Sequence, residues 1–158
     1  MSQTDKRLEQ LGIQLPKKDR RGQGVVAVRQ CGDMLFVSGH GPTDQTDPAD
    51  TPVFTGKLGA ELTVEQGYQA ARLCGINLLA AVREYLGDLD RVECIVKAFG
   101  LVASSPDFFE QPAVMHGFSD LMVEVLGDRG QHARSAMGTC CLPHNIPVEV
   151  DLVLKIRT

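Results

Sequence analysis

The chain has 158 residues, 43% of them apolar and 23% charged, which suits one globular domain with a sizeable core. A net charge of -4 and a pI near 5.5 argue against non-specific nucleic-acid binding, which depends on Lys and Arg neutralising phosphates. No apolar run approaches the ~20 residues that cross a bilayer, and no signal-like stretch opens the chain, so a cytoplasmic protein is expected, with its five cysteines reduced.

Residues 1–22 read as a polar arm. Its Leu8, Leu11, Ile13 and Leu15 suggest a brief helix ending before Pro16, and the short basic run Lys17, Lys18, Arg20 and Arg21 reads as solvated surface. Residues 23–158 form the single domain. Val25 to Val28 and Met34 to Val37 are β-rich runs around Cys31-Gly32-Asp33, which supplies hairpin chemistry. The second run delivers Ser38-Gly39-His40-Gly41, where glycines serve either a close backbone approach or a sharp strand exit.

Residues 43–52 are a surface loop, since Asp, Thr and Pro recur there without periodicity. The spacing of Asp44, Asp47, Asp50 and Glu61 does not match a calcium loop. Residues 54–59 could add a short third strand. Thr63 and Gln66 then form a capping box, opening a helix with apolar or small positions at Val64, Tyr68, Ala71, Gly75, Leu78, Val82 and Tyr85. Gly87 closes it. Residues 92–102 read as a strand covered on both faces, joined to the preceding strand by a crossover helix. A second helix follows Pro112, with Val114, Phe118, Leu121, Met122 and Val125 on its buried stripe and Gly127 at its end.

Residues 132–143 and 147–156 read as a final hairpin around Pro143-His144-Asn145. In the second strand Val148, Val150, Leu152, Leu154 and Ile156 alternate with Glu149, Asp151 and Lys155. Pairing Leu142 with Pro147 sets Cys141 against Val148, Thr139 against Val150 and Met137 against Leu152. That register puts Arg134, Ala136, Gly138 and Cys140 on the face of Glu149, with Arg134 roughly 20 Å from the Glu149 pair at ~3.3 Å per residue. One small ligand can then meet both only across a subunit boundary. The expected fold is α+β, a mixed sheet of about six strands with two helices on one face. Copies of the chain would cover the other face.

The run Ala133-Arg134-Ser135, with Leu142-Pro143 and Val148-Glu149-Val150, resembles the C-terminal signature of the reactive-intermediate deaminase (YjgF-like, L-PSP endoribonuclease) family. Leu35-Phe36-Val37-Ser38-Gly39-His40 is similar to that family's Ser-Gly strand end. The longer 43–54 loop and Glu110-Gln111-Pro112 resemble its chorismate-mutase-like endoribonuclease subgroup. The resemblance implies a chorismate-mutase-like fold and a homotrimer with sites at its subunit interfaces. It also implies cofactor-free hydrolysis of enamines and imines such as 2-aminoacrylate to a 2-keto acid and ammonia. Arg134 then matches the clamp for a small-molecule carboxylate, and Glu149 the residue that positions water. Ser38, Gly39, His116, Ala136, Cys140 and Pro143 would line the substrate cleft. The family's first-strand tyrosine falls near Gly24, its cysteine at Ala136 and its helix asparagine at His116.

The residues alone leave alternatives open. Arg134 could bind loop carbonyls and Glu149 could lie on an exposed edge, while His116 could be a boundary histidine. Adjacent Cys140 and Cys141 point to opposite faces of a strand, so no metal site is expected. A non-catalytic trimer that binds small carboxylates competes with the deaminase. An endoribonuclease ranks below both, because the acidic chain lacks a basic or aromatic RNA platform.

Overall fold

The computed structural model describes residues 2–17 and 24–157; of the basic run, positions 18–21 lie outside the described residues. Helix α1 (Gln3–Gln10) precedes strands β1 (Val28–Cys31) and β2 (Met34–His40). Next come helix α2 (Val64–Leu86), strand β3 (Val92–Ala103), helix α3 (Gln111–Leu126), strand β4 (Ala133–Thr139) and strand β5 (Val148–Ile156). The five strands form one mixed sheet in the order β1-β2-β5-β3-β4.

Local chemistry explains the long helix. The Thr63 hydroxyl accepts from the Gln66 amide while the Gln66 side chain accepts from the Thr63 amide, so two backbone donors that the first turn cannot satisfy are bonded. Gly87, at φ 79°, ends the helix in a conformation that costs a glycine little. The apolar stripe expected for α3 is also met: Val114, Phe118, Leu121, Met122 and Val125 are buried. Helices α2 and α3 pack on each other, and Gly117 permits it. A Cβ there would overlap the Tyr68 carbonyl of α2.

The expected C-terminal hairpin does not form. β3 inserts between its two arms, running parallel to β4 and antiparallel to β5. Adjacency in sequence suggested a pairing that the crossover through α3 forbids, because that helix delivers β4 alongside β3 in the same direction. The sheet has five strands rather than about six, since residues 54–59 contribute only isolated bridges at Leu58. β1 also begins three residues later than the Val25 run suggested, leaving Val25 and Val26 exposed.

Register through β3 fixes both faces of the sheet. Ala98 and Gly100 pair with Arg134 and Ala136 on one side and with Leu152 and Val150 on the other. These residues face the helices, and the space above Gly100 is filled by Met115 of α3. The intervening Phe99 and Leu101 pair with Ser135 and Met137 and with Asp151 and Glu149. Arg134 and Glu149 are therefore on opposite faces of the sheet, which corrects the shared face that the hairpin register implied. Their Cα atoms lie two strands and three residues apart, roughly 14 Å.

Helix α1 is docked by charge. Asp90 accepts from the Gln3 and Thr4 amides and from the Thr4 hydroxyl, filling the donor positions at the helix N-terminus. Arg129 donates to the Thr4 hydroxyl and the Val92 carbonyl, and Leu8 enters the core.

Gly117→Ala tests the helix crossing. Alanine should gain about 1 kcal/mol of helix propensity but lose about 2–4 kcal/mol to overlap with the Tyr68 backbone. Urea denaturation should show a lower midpoint, and an unchanged or higher one would refute this packing.

Candidate functional site

Two groups of side chains have the chemistry of a site, and the sheet separates them. The first surrounds Arg134, on edge strand β4. Its Nη1 donates to Ser119 Oγ at 3.0 Å and its Nη2 to the Pro112 carbonyl at 3.2 Å. Both acceptors belong to α3, so the helix holds the guanidinium at the sheet edge. Burial weakens its hold on the proton while the Asp120 carboxylate strengthens it, and a guanidinium stays charged regardless. A guanidinium presents five N–H donors in a planar fork, so the two bonds to α3 leave N–H groups for an anion.

Ser119 is in turn bonded to His132, with 3.0 Å from its Oγ to Nε2. The Nδ1 of that imidazole lies 2.6 Å from the Gly130 carbonyl, which requires Nδ1 to carry the hydrogen. Nε2 then accepts the Ser119 proton, and Ser119 Oγ keeps a lone pair for Arg134. The ring of Phe118 meets the imidazole edge-on at 5.4 Å. Burial, assisted by the field of Arg134, lowers the His132 pKa against the opposing Gly130 bond.

The second group lies on the face the helices leave bare. Glu149 is half-buried there, beside Gly39 of β2. A Cβ at position 39 would overlap Glu149 Oε1, so the glycine makes room for the carboxylate. Burial raises the Glu149 pKa, and nearby Asp151 raises it further; burial alone raises Asp151. Around them Phe36 and Met137 are 48% and 52% exposed, unusual for large apolar groups on a sheet. A cleft of ≈ 500 Å³ runs beside Phe36, Ser38 and Asp151. The Ser38 hydroxyl donates to the Val26 carbonyl at 2.7 Å and ties the residues before β1 to the cleft wall.

The remaining candidates divide between these regions. Ala136 follows Arg134 on the helix-facing side. His116 is exposed on α3, one turn from each of the positions that Arg134 touches. Cys140 borders a separate hollow of ≈ 370 Å³ beyond the end of β4, with Ser104, Phe109 and Gln111. Pro143 is exposed in the turn before β5. Within one chain Gly39 packs against Glu149, and Ser38 lines the cleft with Asp151. Arg134 and Ala136 share the helix-facing side, with His116 one turn along α3 from the residues that hold Arg134; the sheet separates the two sets. Among the described residues no cluster of three or more His, Cys, Asp or Glu could hold a metal ion, and no helix is long and apolar enough to cross a membrane.

Sequence reasoning missed Ser119, His132 and Asn77. Asn77, buried in α2, donates to the Gly41 and Thr43 carbonyls at 3.0 Å each and pins the chain leaving β2. A buried amide in an otherwise apolar helix stripe was the available signal. For His132 the signal was its spacing of two from Arg134, which puts both on one side of an extended chain.

A five-stranded mixed sheet with two long helices on one face, and an arginine and a glutamate displayed from its C-terminal strands, defines an α+β architecture of the chorismate-mutase-like kind. The chain belongs to the family described as "YjgF/chorismate mutase-like, putative endoribonuclease", whose model matches residues 5–155. It is 41% identical over 151 residues to Protein TCP17 of Trypanosoma cruzi, a match covering 95% of this chain and 92% of that protein. Among solved structures it is similar to Atu1372 of Agrobacterium tumefaciens, a protein of unknown function, at 37% identity and TM-score 0.88, covering 98% and 92% of the two chains. It also resembles a Shewanella oneidensis protein called a "putative endoribonuclease", at 28% identity and TM-score 0.90, covering 98% and 100%.

The His132 environment has a consequence for stability. An unfolded chain takes up the imidazole proton as pH falls through about 6.5, whereas the fold resists that protonation, so the stability present above that pH is lost below it. His132→Gln cannot titrate. Its unfolding midpoint should fall less than that of the wild type between about pH 6.5 and 5, and parallel curves would refute a buried neutral His132.

Proposed function

We propose that this protein is a cofactor-free hydrolytic deaminase of small enamine and imine acids, working as a homotrimer with its sites at the subunit boundaries. The observation that carries this reading is the placement of Arg134 and Glu149 on opposite faces of one sheet. An edge-mounted guanidinium and a bare-face carboxylate can converge on one ligand only if the edge of one copy meets the bare face of another. Exposed Phe36 and Met137 give that contact an apolar lining, and a closed ring is the simplest arrangement that leaves no such face unpaired.

In this arrangement Arg134 binds the substrate carboxylate with its remaining donors. The enamine of a 2-aminoacrylate-type acid tautomerises to an imine, and Glu149 of the neighbouring copy takes a proton from water as the water oxygen bonds to the imine carbon. Glu149 passes that proton to the imine nitrogen, giving the neutral carbinolamine. It then takes the hydroxyl proton and hands it to nitrogen as the C=O bond forms, the C–N bond breaks and ammonia leaves. The product is a 2-keto acid. Burial suits Glu149 to this role, since a raised pKa brings a carboxylate closer to the range in which it can both accept and return a proton near neutrality. An imine is electrophilic enough to need no cofactor.

Ala136 and His116, at the positions where the family's pattern has cysteine and asparagine, alter the wall beside the clamp and bear on which acids fit. A trimer that merely holds carboxylates differs from the enzyme in turnover. An RNA-cleaving role has less support, because the chain is acidic overall, with a net charge of -4, and its bare face mixes Arg29, Lys97 and Lys155 with Glu149 and Asp151 rather than presenting a basic platform.

Mixing two inactive variants tests the shared site. Arg134→Ala and Glu149→Gln should each release no keto acid from an enamine generated in situ. Trimers reassembled from equal amounts should recover about a quarter of the wild-type rate, because about one boundary in four pairs an intact arginine with an intact glutamate. No recovery from variants shown to be mixed would refute a shared site. Binding of 2-ketobutyrate by the wild type without turnover would leave only the carboxylate-binding reading.

A further inference from the structure

We propose that His132 and Ser119 are positioning residues that set the orientation of the Arg134 guanidinium for carboxylate binding. The inference rests on the reading of Arg134 as the clamp and specifies how that clamp is aimed. A long arginine side chain at a sheet edge has many rotamers, and the cost of ordering it is deducted from ligand affinity unless the protein orders it beforehand. Here the ordering runs through a directed chain of hydrogen bonds. The Gly130 carbonyl accepts from His132 Nδ1 at 2.6 Å, Nε2 accepts from the Ser119 hydroxyl at 3.0 Å, and Ser119 Oγ accepts from Arg134 Nη1 at 3.0 Å.

Each link fixes the direction of the next. The carbonyl chooses the imidazole tautomer, the tautomer chooses where the serine hydrogen points, and the serine lone pair then faces the guanidinium. Phe118 packs edge-on against the imidazole at 5.4 Å and restricts its rotation. The second anchor, Arg134 Nη2 to the Pro112 carbonyl at 3.2 Å, comes from the first turn of the same helix. Two contacts spaced along α3 prevent the guanidinium plane from rotating about either one. The charged groups that bear on this path are Arg134, whose field reaches His132, and Asp120, which acts on Arg134 from the residue after Ser119. A purely structural histidine would need the Gly130 bond and the Phe118 contact but not a serine shared with the clamp.

The test separates aim from integrity. Ser119→Ala removes the oxygen that Arg134 uses, and Ser119→Thr restores it. His132→Ala removes the acceptor for the serine proton, while His132→Gln keeps an acceptor and cannot titrate. With 2-aminoacrylate generated in situ, Ser119→Ala and His132→Ala should raise KM about tenfold, the value of one hydrogen bond to a charged group, with kcat changed less than about threefold. Ser119→Thr and His132→Gln should stay near wild type. Below neutrality wild-type KM should shift with the protonation of His132, and in His132→Gln that inflection should vanish.

The inference fails if Ser119→Ala and His132→Ala keep wild-type KM while Arg134→Ala abolishes binding. It also fails if all four variants lose activity together with a lower unfolding midpoint. If Arg134→Ala itself binds 2-ketobutyrate like wild type, the reading of the clamp fails first, and the positioning role with it.

Discussion

The structure depends on coverage of the sheet from one side only. The helices α2 and α3 pack against one face, and the alternation of β5 obeys this: Val148, Val150, Leu152, Leu154 and Ile156 are buried. Every residue between them must then emerge on the bare face. Glu149 is there for that reason, not because a loop carries it. Its neighbours Phe99, Leu101 and Met137 are placed by the same parity through β3. A half-buried carboxylate amid exposed apolar groups is costly in an isolated chain, and burial accordingly penalises the charged form of Glu149.

Parity was readable in the sequence, but strand neighbours were not. The β5 alternation, the Thr63–Gln66 cap, the α3 stripe and the glycine stops follow from local spacing, and local spacing survives whatever the tertiary arrangement. Pairing does not. Nothing between residues 139 and 148 announces that β3 lies between the two strands; that is set by the crossover through α3. The error carried into the site because Met137 looked like a core residue and Ala136 and Gly138 like a pocket floor. In fact the small residues lie on the side facing α3. A Cβ at Gly138 would crowd Gln111 Nε2 at 2.9 Å, while the methionine is turned to the bare face. Small residues under a helix and a large one facing outward give the same one-dimensional pattern as a pocket beside a core.

For the same reason the sequence pointed to Arg134 and Glu149 but not to what holds them. Gly39 acquires meaning only when β2 lies beside β5, so that its missing side chain becomes space for Glu149. Ser119 sits one residue beyond Phe118, just off the apolar stripe, and looks like ordinary helix surface until β4 brings Arg134 beneath it. Such supporting residues are defined by contacts between elements distant in the chain, which no spacing rule within one element reveals.

The proposed assembly and the proposed chemistry are then linked thermodynamically. In the single chain burial and Asp151 raise the Glu149 pKa, so its ionised form is penalised. Bringing a guanidinium from a neighbouring edge toward that face lowers the penalty, and the gain appears as association energy. The ligand carboxylate, however, competes for the same cation and partly neutralises it. In the proposed trimer that carboxylate would shield Glu149 from the guanidinium, leaving burial and Asp151, which raise its pKa in the chain, to favour uptake of the proton that water gives up. An arginine held rigidly by α3 serves this exchange better than a flexible one, since the change at Glu149 then comes from the ligand's charge and not from movement of the clamp.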